Sequence, residues 1–191
     1  MVGVEEDRLL SPLLSQSVPL IGADQAWAAG FDGTGIVVAI LDTGVDKTHP
    51  FLAGKVVEGA CFSSSGICPN GLTTQIGGGS AVPGAYAANG CQHGTYVAGI
   101  AAGSGASFSG VARGARIIAV QVFSRLPGSQ CAGAGEDPCA LASVSDLIAG
   151  GERVLTLSSQ YAIAAVNVSL GVPVDSPLRA TPAPSSRPGR L

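Results

Sequence analysis

The chain has 191 residues, of which only 12% are charged; that is enough for one domain of ordinary size with a sizeable core. The net charge of −3 offers no basic stripe to neutralise phosphates, which excludes nucleic acid as the expected partner. No apolar run approaches the roughly 20 residues that cross a bilayer, so no membrane partner is expected either.

Residues 1 to about 20 are mixed and carry no strong period. Residues 1–8 have neither a basic n-region nor an apolar h-region, so they are not a signal peptide. A short helix is predicted over 23–29, ending at Gly30. Asp32-Gly33-Thr34-Gly35 is a turn. Residues 36–41 form a continuous apolar run, the mark of a strand covered on both faces. Asp42-Thr43-Gly44 follows it directly. Residues 59–92 are rich in Gly, Ser and Cys and read as long loops. His93 opens a predicted helix of small residues reaching Ala102, which must pack closely on something. Residues 116–123 give a second buried strand. Val144, Leu147, Ile148 and Leu155 share one face of a further helix, in which Gly150-Gly151 costs about 1 kcal/mol per glycine relative to alanine. Residues 164–170 give a third strand. Strands alternating with helices predict a parallel α/β sheet. From about Asp175 the chain is rich in Pro, Arg and Ser, has no apolar period, and is expected to have little defined structure.

Five cysteines, Cys61, Cys68, Cys91, Cys131 and Cys139, show no zinc-site spacing. Cys131 and Cys139 bracket a Gly-rich acidic stretch, and a local disulfide between them is expected; one of the five is left over. Disulfides point to an oxidising, extracellular setting.

In an open α/β sheet, functional groups gather at the carboxyl ends of strands, and Asp42 stands at one. A carboxylate there can hold an imidazole in one tautomer and stabilise the imidazolium formed in acyl transfer. By itself Asp-Thr-Gly could equally be a turn. Aspartic proteases use the same turn but need two carboxylates, and only one copy occurs. Of the two histidines, His49 precedes Pro50 and reads as a loop residue with a structural hydrogen bond. His93 opens a helix whose next residues are Gly94 and Thr95, so its ring can project into a cleft. A Cys91/His93 hydrolase is disfavoured, because residues two apart rarely point at each other productively.

Residues Val38 to Asp46, His49-Pro50, His93-Gly94-Thr95-Tyr96-Val97-Ala98-Gly99, Gly110-Val111-Ala112 and Asn167-Val168-Ser169-Leu170-Gly171 resemble successive blocks of the subtilisin-like serine peptidases, secreted bacterial members above all. The resemblance covers roughly residues 18–172, the N-terminal part of a catalytic domain. It implies a three-layer α/β/α fold with a mainly parallel sheet, here incomplete, and a serine-type endopeptidase using an Asp, His, Ser order. It implies that Asp42 orients the ring and His93 is the general base. Ser169, Leu170 and Gly171 would lie along an extended polypeptide substrate as an added strand. Residues 1–17 would be the end of an inhibitory propeptide or linker, and residues 173–191 a disordered tail. The chemistry requires no cofactor; structural calcium and metal sites are left open, with no metal ligand assigned. The chain departs from the pattern in three places. Tyr96 stands where a second histidine is common, Gly151 interrupts a helix, and neither Gly-Thr-Ser-x-Ala nor the oxyanion Asn block occurs. The alternative reading is therefore an inactive truncated or frameshifted product that at most binds peptides.

Overall fold

The computed structural model describes residues 14–86, 90–131 and 137–171. The expectations for residues 1–13 and for the tail from 172 onward lie outside these. Helices α1 (Leu14–Leu20) and α2 (Ala23–Ala28) come first, then β1 (Val37–Asp42), β2 (Val56–Phe62) and β3 (Thr74–Ile76). Next are α3 (His93–Ala102), β4 (Arg116–Gln121), β5 (Phe123–Leu126), β6 (Cys139–Ala142), α4 (Val144–Leu157) and β7 (Ile163–Val168).

The main sheet has the order β3-β2-β4-β1-β7. Strand β1 is parallel to both neighbours, with Asp42 opposite Gln121 on β4 and Leu41 opposite Val168 on β7. The carboxyl ends of β1, β4 and β7 therefore sit side by side. Only β3 runs antiparallel, against β2. Strands β5 and β6 form a separate antiparallel ribbon.

Helices cover the two faces. On one, Ala98 and Ala102 of α3 pack with Ile40, Leu52, Ile117 and Ala119. On the other, Val154 and Leu157 of α4 pack with Leu41, Ala60, Ile118 and Val120. Consecutive β1 residues thus face opposite layers, as the unbroken apolar run requires. The β2-to-β4 connection carrying α3 and the β4-to-β7 connection carrying α4 step the same way along the sheet yet lie on opposite faces. Their hands are opposite, so one departs from the right-handed norm.

Four expectations need correction. Residues 59–92 are not loop throughout: they contain most of β2, with Ala60 and Cys61 buried beside β4, and all of β3. Alternation is hidden there because β2 is central and buried at its end. The segment before Gly22 contains α1, although its period is weak and Pro19 lies inside it. The predicted strand over 116–123 is two strands, broken at Val122. Finally, the predicted α4 face splits: Leu147 packs against the core beside the buried Asp146, Gly150, Val154 and Leu157, while Val144, Ile148 and Leu155 face solvent. Gly150 decides that orientation. A Cβ there would come within 2.9 Å of Val122 Cγ1 and 3.2 Å of Val120 Cγ1, so the helix meets the sheet along its glycine.

Candidate active site

Asp42 is the last residue of β1 and is fully buried. Its Oδ1 accepts from the Thr43 backbone N–H at 2.7 Å. The His93 Nδ1 lies 2.8 Å from Oδ1 and 2.9 Å from Oδ2. A carboxylate only accepts hydrogen bonds, so Nδ1 carries the proton and Nε2 is left as the basic nitrogen. The His93 side chain is 47% exposed, which gives the ring one buried, anchored side and one open side.

Local sequence explains how the helix reaches the strand. The Thr43 hydroxyl donates to the Cys91 carbonyl at 2.9 Å and accepts from the Gly94 N–H at 3.0 Å. Thr43 thereby ties the β1 turn to the first turn of α3. Gly44 has φ +100 and a Cβ there would strike the Val82 backbone, so the turn after Thr43 requires glycine. On the far side, the Thr95 hydroxyl accepts from the Asp46 N–H at 2.9 Å. Every residue of the Asp-Thr-Gly and His-Gly-Thr motifs thus has a positional reason.

His93 and Thr43 border a cleft of about 300 Å³ together with Gly90, Phe123, Ala140, Ser169, Leu170 and Gly171. The structure therefore brings Asp42, His93 and the Ser169-Leu170-Gly171 segment to one place. The Ser169 hydroxyl is engaged with Asn167, 2.9 Å from its Nδ2. The sequence reading missed Thr43, Phe123 and Ala140. Thr43 was legible as the middle of its motif. Phe123 and Ala140 carry no sequence signal, because the β5–β6 ribbon brings them to the cleft.

Cys131 and Cys139 are joined by a disulfide next to this ribbon, and Cys61 is joined to Cys68. Cys91 is free and buried; the neighbouring Tyr86 is held protonated well above its usual range, chiefly by burial and then by that thiol. His49 caps the turn Pro50–Leu52, its Nδ1 accepting from the Phe51 N–H at 3.2 Å.

The subtilase family model matches residues 33–179. The minor extracellular protease Vpr of Bacillus subtilis is 35% identical over 159 residues, covering 82% of this chain and 18% of its own length. Thermitase of Thermoactinomyces vulgaris is 39% identical over 106 residues, covering 54% of this chain and 31% of its own. The CspB protease structure from Clostridium perfringens superposes with a TM-score of 0.52 at 19% identity, over 75% of this chain and 31% of that one, a likeness of fold. The chain spans less than a third of the length of each of these three relatives. It belongs to the subtilase family.

Proposed function

We propose that this chain carries the Asp/His half of a serine endopeptidase site, with Asp42 orienting the ring and His93 acting as general base toward a serine outside the described cleft. The observation that supports it is the buried Asp42 carboxylate spanning His93 Nδ1 at 2.8 and 2.9 Å. That contact fixes the tautomer, aims Nε2 outward, and compensates the positive charge the ring gains when it takes a proton from a nucleophile. Ser169, Leu170 and Gly171 offer backbone groups to an extended polypeptide lying in the cleft beside His93. Residues 1–17 read as the end of a propeptide, and the working location as extracellular.

Asp and His raise the reactivity of a serine and do not replace it. No serine of these 191 residues stands in a Gly-Thr-Ser-x-Ala context. The isolated 191-residue polypeptide is therefore expected neither to hydrolyse casein nor to be labelled by a fluorophosphonate. Labelling abolished in His93→Ala would place a nucleophile within these residues and overturn that half of the reading. Nitrogen-15 NMR of the neutral His93 ring tests the other half. Nδ1 should carry the proton in the parent, and Asp42→Asn, whose amide can also donate, should shift the ring toward the Nε2 tautomer. An unprotonated Nδ1 in the parent would sink the orienting role.

A further inference from the structure

Strand β5 carries Phe123 into the cleft, and the polar side chains on either side of Phe123 are buried. Before it, Gln121 is 2% exposed and its Oε1 accepts from the Phe123 N–H. After it, the Ser124 hydroxyl is 1% exposed and lies 2.9 Å from Ser63 Oγ, 3.1 Å from Ser64 Oγ and 3.4 Å from Asp146 Oδ2. Asp146 Oδ2 also accepts from the Ser64 N–H at 2.8 Å. The Ser65 N–H donates to Ser124 Oγ at 3.3 Å, and the Arg125 N–H donates to Ser65 Oγ at 2.9 Å. Strand β5 is thus held by three consecutive serines, all inside the ring that Cys61–Cys68 closes.

Asp146 lies in the first turn of α4, where its N–H is capped by Ser143 Oγ at 3.2 Å. An acidic side chain at that position commonly turns back to the N–H of the cap residue; here Oδ2 reaches across to the serine loop and to β5. A carboxylate only accepts, so the single Ser124 proton points to Asp146 and the Ser124 lone pairs are left to the loop. Burying a carboxylate and the hydroxyls of Ser63 and Ser124 is unfavourable where apolar side chains of the same shape are not. What a satisfied polar network adds is one fixed geometry, and here it fixes β5 against the loop and the start of α4.

We infer that Asp146 is a positioning residue for the substrate cleft. Acting through Ser124 and the Ser63–Ser65 loop, it sets where β5 holds Phe123 and where β6, paired through Arg125 opposite Ala140, holds Ala140. Asp146 does not itself border the cleft. The inference rests on the proposed reading of that cleft as the place of an extended polypeptide.

The test uses the 191-residue chain with phenylalanine rings and alanine methyls labelled for NMR. Asp146→Ala removes the acceptor of both donors; Ser143→Ala removes only the cap of the same helix and is the control. Asp146→Ala should move the Phe123 ring and Ala140 methyl resonances and speed Arg125 amide exchange at least tenfold. Ser143→Ala should leave all three as in the parent. Asp146→Asn keeps an oxygen that can accept from both donors and should restore the parent signals. The Cys61→Ala/Cys68→Ala variant opens the serine loop without touching α4 or the ribbon, and should shift the same two resonances even if Asp146→Ala does not fold. Signals that respond to Ser143→Ala as they do to Asp146→Ala would reduce Asp146 to a helix-start residue and overturn the inference. Asp146→Asn signals that follow Asp146→Ala would overturn it too, as would parent-like signals in the cysteine variant. The His93 tautomer, read in the same samples, answers separately: an unprotonated Nδ1 in the parent counts against the Asp42–His93 reading and leaves the result at Phe123 and Ala140 standing.

Discussion

Gly94 lies against Asp42 so closely that a Cβ on it would be 3.0 Å from Asp42 Cβ and 3.1 Å from Oδ1, and would collide with the Gly44 carbonyl oxygen. The first turn of α3 is thus pressed onto the end of β1, which is what puts the His93 ring within hydrogen-bonding reach of a carboxylate 51 residues earlier.

Gly94→Ala sets two effects against each other. Alanine gains up to about 1 kcal/mol of helix propensity. The added methyl meets backbone on one side and a fixed carboxylate on the other, and overpacking of that kind costs about 1–3 kcal/mol. The clash should win. Urea unfolding should show net destabilisation, and the His93 ring resonances should move toward those of Asp42→Asn as the helix lifts from the strand.

The disulfides close short loops, with Cys131 and Cys139 separated by 8 residues and Cys61 and Cys68 by 7. Loop-closure entropy for such rings is worth roughly 2–3 kcal/mol each. Replacing either pair by alanine should lower unfolding free energy by about that amount. Loss of the Cys131–Cys139 bond should also speed amide exchange in β6, which carries Ala140 into the cleft. Mass spectrometry of unreduced peptides checks the pairing; five free thiols would contradict it.

Acid sensitivity follows from two turns. Asp46 Oδ1 accepts from the Thr48 hydroxyl at 2.6 Å and its N–H at 2.9 Å. Asp32 Oδ1 does the same with Thr34 at 2.7 and 2.9 Å. In each case the hydroxyl bond, then the backbone bond, holds the carboxyl below its ordinary value of 3.8. A depressed folded-state value means the stabilisation is present above the unfolded value and is lost as pH falls through the folded one. Melting temperature should therefore drop as pH falls below 3.8, and Asp46→Asn with Asp32→Asn should flatten that limb. Asp32 and Asp46 are half-buried at the surface and solvent screens their carboxylates, so the change should be small and should shrink further in salt.

Much of this protein was legible in its residues. The run at 36–41 specified a strand buried on both faces, because no polar residue interrupts it. His93-Gly94-Thr95 specified a helix start, since small residues follow at positions that must approach a neighbour. The motif contexts were specific enough to pair Asp42 with His93 across 51 residues.

Other features waited on the tertiary structure. Periodicity put Val144, Leu147, Ile148 and Leu155 on an apolar face of α4 but could not say which of them meets the sheet; only Leu147 packs against the core. Close packing at Gly150 turned the helix so that the glycine, Val154 and Leu157 lie inward and the rest of the apolar stripe outward. Cys61 and Cys68 read as loop residues until β2 formed and carried Cys61 to a Cα–Cα distance of 5.7 Å from its partner. Phe123 and Ala140 reach the cleft because antiparallel pairing of β5 with β6 is a long-range choice. Local composition sets which segments become strands or helices; which side of each meets the core depends on the few places where backbone can approach backbone.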